Sequence, residues 1–207
     1  LFKNDNRGPC DNPPNQIYSE PHHKCMGDIT VDMVMPHVKD IWKKTPNNIV
    51  AATKPSIGLV MIVKNEEHVL PELFESIWQM IDYWVITDTG STDNTCNLIS
   101  SFFAEKGVPG ELHHVPWKNF GYNRTMALRF AEGKTDYMWV IDADDKVQGN
   151  IDFSKLTLDV YSLRYGQNFV YWRKQLFRSG LAWKYLGVLH EYAESGFDKT
   201  HEFLAGD

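Results

Sequence analysis

From Ser56 onward the chain alternates between two kinds of apolar pattern. Ile57 to Val63 is a continuous apolar run, as a strand covered on both faces requires. Asn65, Glu66 and Glu67 follow, and then apolar residues at Val69, Leu70, Leu73, Phe74, Ile77, Trp78 and Ile81. That i, i+3, i+4 recurrence predicts a helix with one buried stripe, its start favoured by the polar residues and by Pro71. Tyr83 to Thr87 reads as a second strand, Asp93 to Lys106 as a helix closed by Gly107, and Leu112 to Val115 as a third strand. Phe120 to Ala131 reads as a helix ended by Gly133, and Tyr137 to Asp142 as a fourth strand.

Strand-helix-strand repeated three times implies an α/β fold, a parallel sheet with helices on both faces. Ligands bind such sheets at the carboxyl ends of the strands, so Asp88 and Asp142 are expected to share one crevice. Beyond Asp145 the rhythm changes. Asn168 to Arg173 and Gln175 to Ser179 read as two strands with a tight connection, a small antiparallel extension that walls the crevice. Residues 1–54 differ again, being rich in Asn, Pro and Asp, with one helix expected around Asp32 to Lys44 that Pro36 either interrupts or starts. They are expected to form an N-terminal arm or preceding segment, with residues 55–207 as the main domain.

Composition narrows the function. A chain of 207 residues with 43% hydrophobic and 23% charged content has the make-up of one soluble globular domain. A net charge of −6 without any basic block speaks against a nucleic-acid partner. The longest fully apolar run, Leu59 to Val63, is far too short to span a bilayer. Three cysteines without a C-x-x-C suggest a reducing compartment, hence a cytoplasmic location. Cys10, His22, His23 and Cys25 have ligand chemistry but no common zinc spacing. Asn123-Arg124-Thr125 is formally a glycosylation sequon, without meaning in a cytosolic protein. The chain begins at Leu1 rather than Met and stops at Asp207, as a piece of a longer protein would.

The sharpest chemical signal is Trp139-Val140-Ile141-Asp142-Ala143-Asp144-Asp145, where an apolar segment ends in three carboxylates. If the chain stays extended there, Asp142 and Asp144 point to the same side and converge. Converging carboxylates need a cation, and hard ions such as Mg²⁺ or Mn²⁺ take oxygen ligands and bridge to phosphates. An acidic strand exit without a ligand is the bland alternative. In Asp88-Thr-Gly-Ser-Thr-Asp93, a capped strand-to-helix loop explains everything from Gly90 onward but not Asp88, whose carboxylate suits a ribose or base edge.

Five motifs in order, Val63-Lys-Asn-Glu-Glu67, Asp88 to Asp93, Trp117-Lys-Asn-Phe-Gly-Tyr-Asn-Arg124, Ile141-Asp-Ala-Asp-Asp145 and Gly187-Val-Leu-His-Glu191, resemble the family 2 glycosyltransferases of the GT-A fold. The likeness covers about residues 56–192 and is greatest to bacterial, phage and viral members with a His-Glu near the domain's end. It implies a GT-A, Rossmann-like fold and inverting transfer from a nucleotide-sugar, usually UDP-linked, with Mn²⁺ or Mg²⁺. Carried over by position, Val63, Asn65 and Glu67 lie beside the nucleotide and Asp88 holds uracil or ribose. Asp142, Ala143 and Asp144 match the metal- and donor-binding Asp-x-Asp, Asp144 as direct ligand, and His190 adds a metal or diphosphate contact. Glu191 is a candidate base. The family often has two adjacent acids where this chain has Asp88-Thr89, so its grip on the base is left open. Family members also continue past the His-Glu with structure over the acceptor side.

The chemistry agrees with that likeness. Charge builds on the leaving nucleotide, which a divalent cation stabilises, and an acceptor hydroxyl must lose a proton to a carboxylate. Asp145 and Glu191 are the acids for that role. Arg124 or Arg173 either offsets diphosphate charge or forms an ion pair. Trp117, Trp172, Trp183 and Tyr185 are packing residues or sugar platforms. The acceptor is left open among glycan, lipid and protein. A haloacid-dehalogenase-type phosphohydrolase would want Thr or Val where Lys146 stands. A sugar nucleotidyltransferase would want a basic, Gly-rich loop in place of Lys64-Asn65-Glu66-Glu67. The remaining rival is a degenerate domain that only binds nucleotide-sugar or a partner protein.

Overall fold

A computed structural model describes residues 54–166, 169–188, 190–196 and 199–204. The expected N-terminal arm, its helix and the Cys10, His22, His23, Cys25 group lie outside the described residues. Strand β1, Ile57–Val63, sits centrally, with β2, Tyr83–Asp88, and β4, Tyr137–Val140, parallel on either side. Strand β3, Gly110–His114, pairs parallel with β2. Past β4 the sheet changes direction: β6, Tyr171–Arg178, runs antiparallel to β4 and to β5, Val160–Tyr165, and β9, His201–Leu204, closes the edge parallel to β5. The seven-stranded order is β3-β2-β1-β4-β6-β5-β9. A separate antiparallel pair joins β7, Lys184–Leu186, to β8, Tyr192–Glu194.

Alternation along β1 feeds two cores, because successive side chains of a strand point to opposite faces. Ile57, Leu59, Met61 and Val63 pack against Leu70, Leu73, Phe74 and Ile77 of α1, Leu70–Ile77, and against Ile99 and Phe103 of α2, Thr95–Lys106. Val60 packs the other way, with Ala127, Leu128 and Ala131 of α3, Phe120–Ala131. Helices therefore cover both faces, as the alternation implied. The rings of Phe74, Phe103 and Trp84 meet at centroid distances of 4.7 and 5.0 Å, worth about 0.5–1.5 kcal/mol per pair beyond area burial. The start of β1 is pinned by two acids, Asp82 accepting from the Ile57 amide at 2.7 Å and Asp136 from the Ser56 amide at 2.8 Å.

The antiparallel part corrects the sequence reading. Asn168 to Arg173 and Gln175 to Ser179 are not two strands with a tight turn; Tyr171–Arg178 is one strand, and β5 before it is its partner. Strand β4 also ends at Val140, two residues before Asp142, and the chain turns there, the Asp145 amide donating to the Asp142 carbonyl at 3.1 Å. No helix among the described residues is long and apolar enough to cross a membrane.

Helix α3 is placed by neighbouring residues of one motif. Asn119 caps it, accepting from the Tyr122 amide at 2.8 Å. Asn123 is fully buried, accepts from the Lys118 amide at 2.9 Å and donates to the Pro116 carbonyl at 3.2 Å, so the formal sequon has its amide nitrogen engaged. Gly121 lets the 185–187 chain cross the first turn, where an added Cβ would lie 2.1 Å from the Gly187 carbonyl oxygen. Gly121→Ala is expected to destabilise the protein by about 1–3 kcal/mol, since the obstacle is backbone that no rotamer change removes. Chemical denaturation measures this, and an unchanged midpoint would show that the crossing chain yields freely.

Candidate active site

The carboxyl ends of β1, β2 and β4 open on one side of the sheet, and the loops leaving them are tied to each other. Asn65, at a φ of 57°, accepts from the Thr92 amide at 2.7 Å through its side chain, while its own amide donates to Ser91 Oγ at 2.9 Å. The Glu66 amide donates to Thr95 Oγ1 at 2.8 Å, and Glu67 accepts from the Asn94 amide at 2.7 Å, capping α2 from the neighbouring loop. Asn65 and Glu67 thus brace the two loops. Val63 is buried, and its carbonyl accepts from both the amide and the hydroxyl of Thr89, at 2.9 and 3.0 Å. Thr89, directly after Asp88, serves that tie.

Asp88 is 4% exposed and accepts from the Gly90 and Ser91 amides at 3.1 and 3.0 Å, with His114 Nδ1 at 3.2 Å. Burial pushes its carboxyl up, but these hydrogen bonds hold it below the usual carboxylate range.

Asp142 lies in a clamp of two arginines. Arg124 Nη2 donates to Oδ1 at 2.5 Å and Arg173 Nη2 to Oδ2 at 2.8 Å, so both oxygens are taken. Arg124 is 8% exposed, and its Nε donates to Glu191 Oε1 at 2.8 Å. One guanidinium therefore joins α3, the end of β4 and the loop before β8. Burial works against charge at Asp142, yet the two arginines outweigh it and keep its carboxyl low. Of the two readings of Arg124 and Arg173, the ion pair is the one present: both are paired, and both pairs converge on Asp142.

Asp145 is in the opposite state. Burial raises its carboxyl, only partly offset by Tyr165, whose hydroxyl donates to Oδ2 at 2.7 Å. The Asp142 amide donates to the same oxygen at 3.1 Å, Arg173 Nη1 stands 3.7 Å from Oδ1, and Gln175 donates to the Tyr165 hydroxyl. Asp145, Tyr165 and Gln175 line a cavity of about 520 Å³ with Trp139, Ile141 and Arg164. Neighbouring carboxyls whose environments push them apart have separate chemical tasks available to them.

The backbone turns at Asp142, so the extended geometry expected through Asp144 is not the one the chain adopts there. Asp144 is exposed and has no hydrogen bond or ion pair among the described residues, and its charge helps raise Glu66. Ala143 between them is buried. His190 is exposed with a φ of 57° in the loop joining β7 and β8. Asp142, Asp144 and His190 are not brought together as ligands: among the described residues the one trio with ligand atoms within 4.8 Å of each other is Asp88, Cys96 and His114.

Trp183 is core, packed on Phe177 and donating to the Arg178 carbonyl, whereas Trp117 and Trp172 are exposed at 44% and 38%. The Tyr185 ring lies 5.7 Å from the Arg124 guanidinium. Tyr165 went unnoticed in the sequence because β5 did. The signal was there in Val160-Tyr-Ser-Leu-Arg-Tyr165, rich in β-branched and aromatic residues.

A model of the glycosyl transferase family 2 matches residues 59–185. A TPR repeat-containing protein of Synechococcus elongatus is 32% identical over 97 residues, 46% of this chain and 22% of that protein. The SPbeta prophage-derived glycosyltransferase SunS of Bacillus subtilis is 27% identical over 117 residues, 54% of this chain and 26% of SunS. The crystal structure of S. aureus TarS 1-349 is 19% identical, with a TM-score of 0.42 over 54% of this chain and 36% of that one. This chain thus spans about a quarter of the length of the two curated relatives. With the family model covering well over half of its residues, the chain belongs to glycosyl transferase family 2.

Proposed function

We propose that this chain is the donor-binding core of a metal-dependent, inverting glycosyltransferase that moves a sugar from a nucleotide-sugar, first of all a UDP-sugar, to an acceptor hydroxyl. The observation that carries the reading is the pair of arginines meeting on Asp142 beside an uncommitted Asp144. Family membership and the name of the SunS relative support it.

The donor set fits a hard divalent ion. Asp144 is exposed and has no partner among the described residues, and Mn²⁺ or Mg²⁺ commonly uses one or two carboxylates together with substrate phosphates. Such an ion, when bound, offsets the charge that develops on the departing nucleoside diphosphate. Asp144 is its direct protein ligand in this reading, with His190 a further contact available from the β7–β8 loop. Asp142 aligns Arg124 and Arg173, so that two guanidiniums face the diphosphate with their positions already fixed. Asp88 accepts from the ribose or base, its carboxylate held ionised by the amides of its own loop. Asp145, facing the cavity, takes the proton from the acceptor, and Glu191 fixes Arg124.

The reading is tested by calorimetric titration of a panel of nucleotide-sugars, once with Mn²⁺ and once with EDTA. Binding of one UDP- or GDP-sugar that EDTA removes and Asp144→Asn abolishes, with circular dichroism unchanged, is expected. Equal binding with and without metal would overturn the metal part. A folded sample that binds no donor would favour the degenerate-domain alternative.

A further inference from the structure

Asp88 ends β2, His114 ends the neighbouring β3, and Cys96 lies in the first turn of α2. Asp88 and His114 are direct partners in the β2–β3 register, and the Val115 amide donates to the Asp88 carbonyl at 2.9 Å. The three ligand atoms lie within 4.8 Å of one another. His114 Nδ1 already stands 3.2 Å from the Asp88 carboxylate. Zinc takes sulfur, imidazole and carboxylate ligands at about 2.0–2.3 Å in a tetrahedron, and three protein ligands leave the fourth position open. Thiolate and imidazole also favour Zn²⁺ over the oxygen-seeking Mg²⁺ and Mn²⁺.

We propose that Asp88, Cys96 and His114 form a binding site for Zn²⁺, separate from the Asp144 site and opposed to donor binding. On binding, the thiol proton passes to solvent and the sulfur electron pair forms the bond to the ion. The Asp88 carboxylate, drawn onto the ion, is then withdrawn from the nucleoside, so zinc and nucleotide compete. That inhibitory part rests on the proposed role of Asp88; the metal site itself does not. The cation class that inhibits is thus set apart by softness from the class that assists.

Cobalt(II) serves as the visible stand-in for zinc in a titration of the 207-residue chain. A thiolate-to-cobalt charge-transfer band saturating at one ion is expected, and Cys96→Ser is expected to remove it. Affinity in Cys96→Ser should fall more than ~10-fold, because losing a group that merely orients a ligand already costs that much. The exposed His114→Ala variant should weaken binding and keep the band. No band, or a band unchanged in Cys96→Ser and so owed to Cys10 or Cys25, would overturn the site. In a second arm, UDP is titrated in Mn²⁺ with and without Zn²⁺; zinc is expected to weaken UDP binding in the unsubstituted chain and not in Cys96→Ser. Undiminished UDP binding in zinc would overturn the competition, whereas a correct cobalt spectrum without any UDP binding would uphold the metal site and defeat the donor reading.

Discussion

Replacing Arg124 by alanine is expected to cost about 3–5 kcal/mol of stability and to abolish transfer, because it strands carboxylates that are largely out of water. Glu191 would lose the guanidinium nitrogen 2.8 Å away, and Asp142 would keep only Arg173. The cation's contacts with the Tyr185 and Phe120 rings, at 5.7 and 6.0 Å, would go as well. Lysine restores a charge but not a planar fork that reaches two acids at once, so Arg124→Lys should recover part of the stability and little activity. The loss also has a pH signature. The Asp142 carboxyl titrates below its ordinary value in the folded protein. Its contribution is therefore complete above that ordinary value and is lost as pH falls through the lowered one. The gap between Arg124→Ala and the unsubstituted protein should narrow in acid. Denaturant unfolding at neutral and acidic pH measures both, and equal midpoints at neutral pH would show that the clamp contributes nothing.

Removing the charge of Asp145 should act on rate alone. A general base supplies roughly 10²–10⁴-fold, so Asp145→Asn is expected to lose that much turnover while binding donor normally. Asparagine can still accept from Tyr165 and from the Asp142 amide through one oxygen, which keeps the loop in place. Glu191→Gln is expected to lose less, since the amide oxygen can still accept from Arg124 Nε. Normal turnover in Asp145→Asn with loss in Glu191→Gln would transfer the base to Glu191 and leave Asp145 a structural acid of the cavity wall.

The parallel half of the sheet was legible because burial on both faces leaves an unambiguous mark, as in Ile57 to Val63. The stripe from Leu70 to Ile77 and the glycine after Lys106 were equally plain. The antiparallel half was not. Lys174 lies mid-strand on β6 with its side chain exposed, and a charge inside an apolar run reads as a break. Residues 141–159 carry no helix or strand, so β5 fell outside the strand-helix rhythm that marked the parallel half. Ile141 extended the apparent strand by continuing its hydrophobicity, although the backbone had already begun to turn. In the site, the sequence pointed to Asp88 and Asp142 as acids at strand ends and to Asp145 as a candidate base, but it could not give them their partners. Arg124 precedes Asp142 by 18 positions and Arg173 follows it by 31, separations that only the sheet order converts into contact. Asp142 and Asp144 were read as one extended segment, and the chain turns there instead.

The reversal of strand direction between β4 and β6 marks a seam for exchange. On one side lie the elements that carry Asp88, Asp142 and Asp144; on the other lie β5, β6 and β9, which wall the cavity. The joint itself is short, Tyr137 to Trp139 against Leu176 to Arg178. A graft that replaces the far side with that of another family member must reproduce this register and the side chains that cross the joint, Arg173 to Asp142, Glu191 to Arg124 and Tyr165 to Asp145. Acceptor preference in such chimaeras should follow the grafted half, and donor preference should stay with β1 to β4.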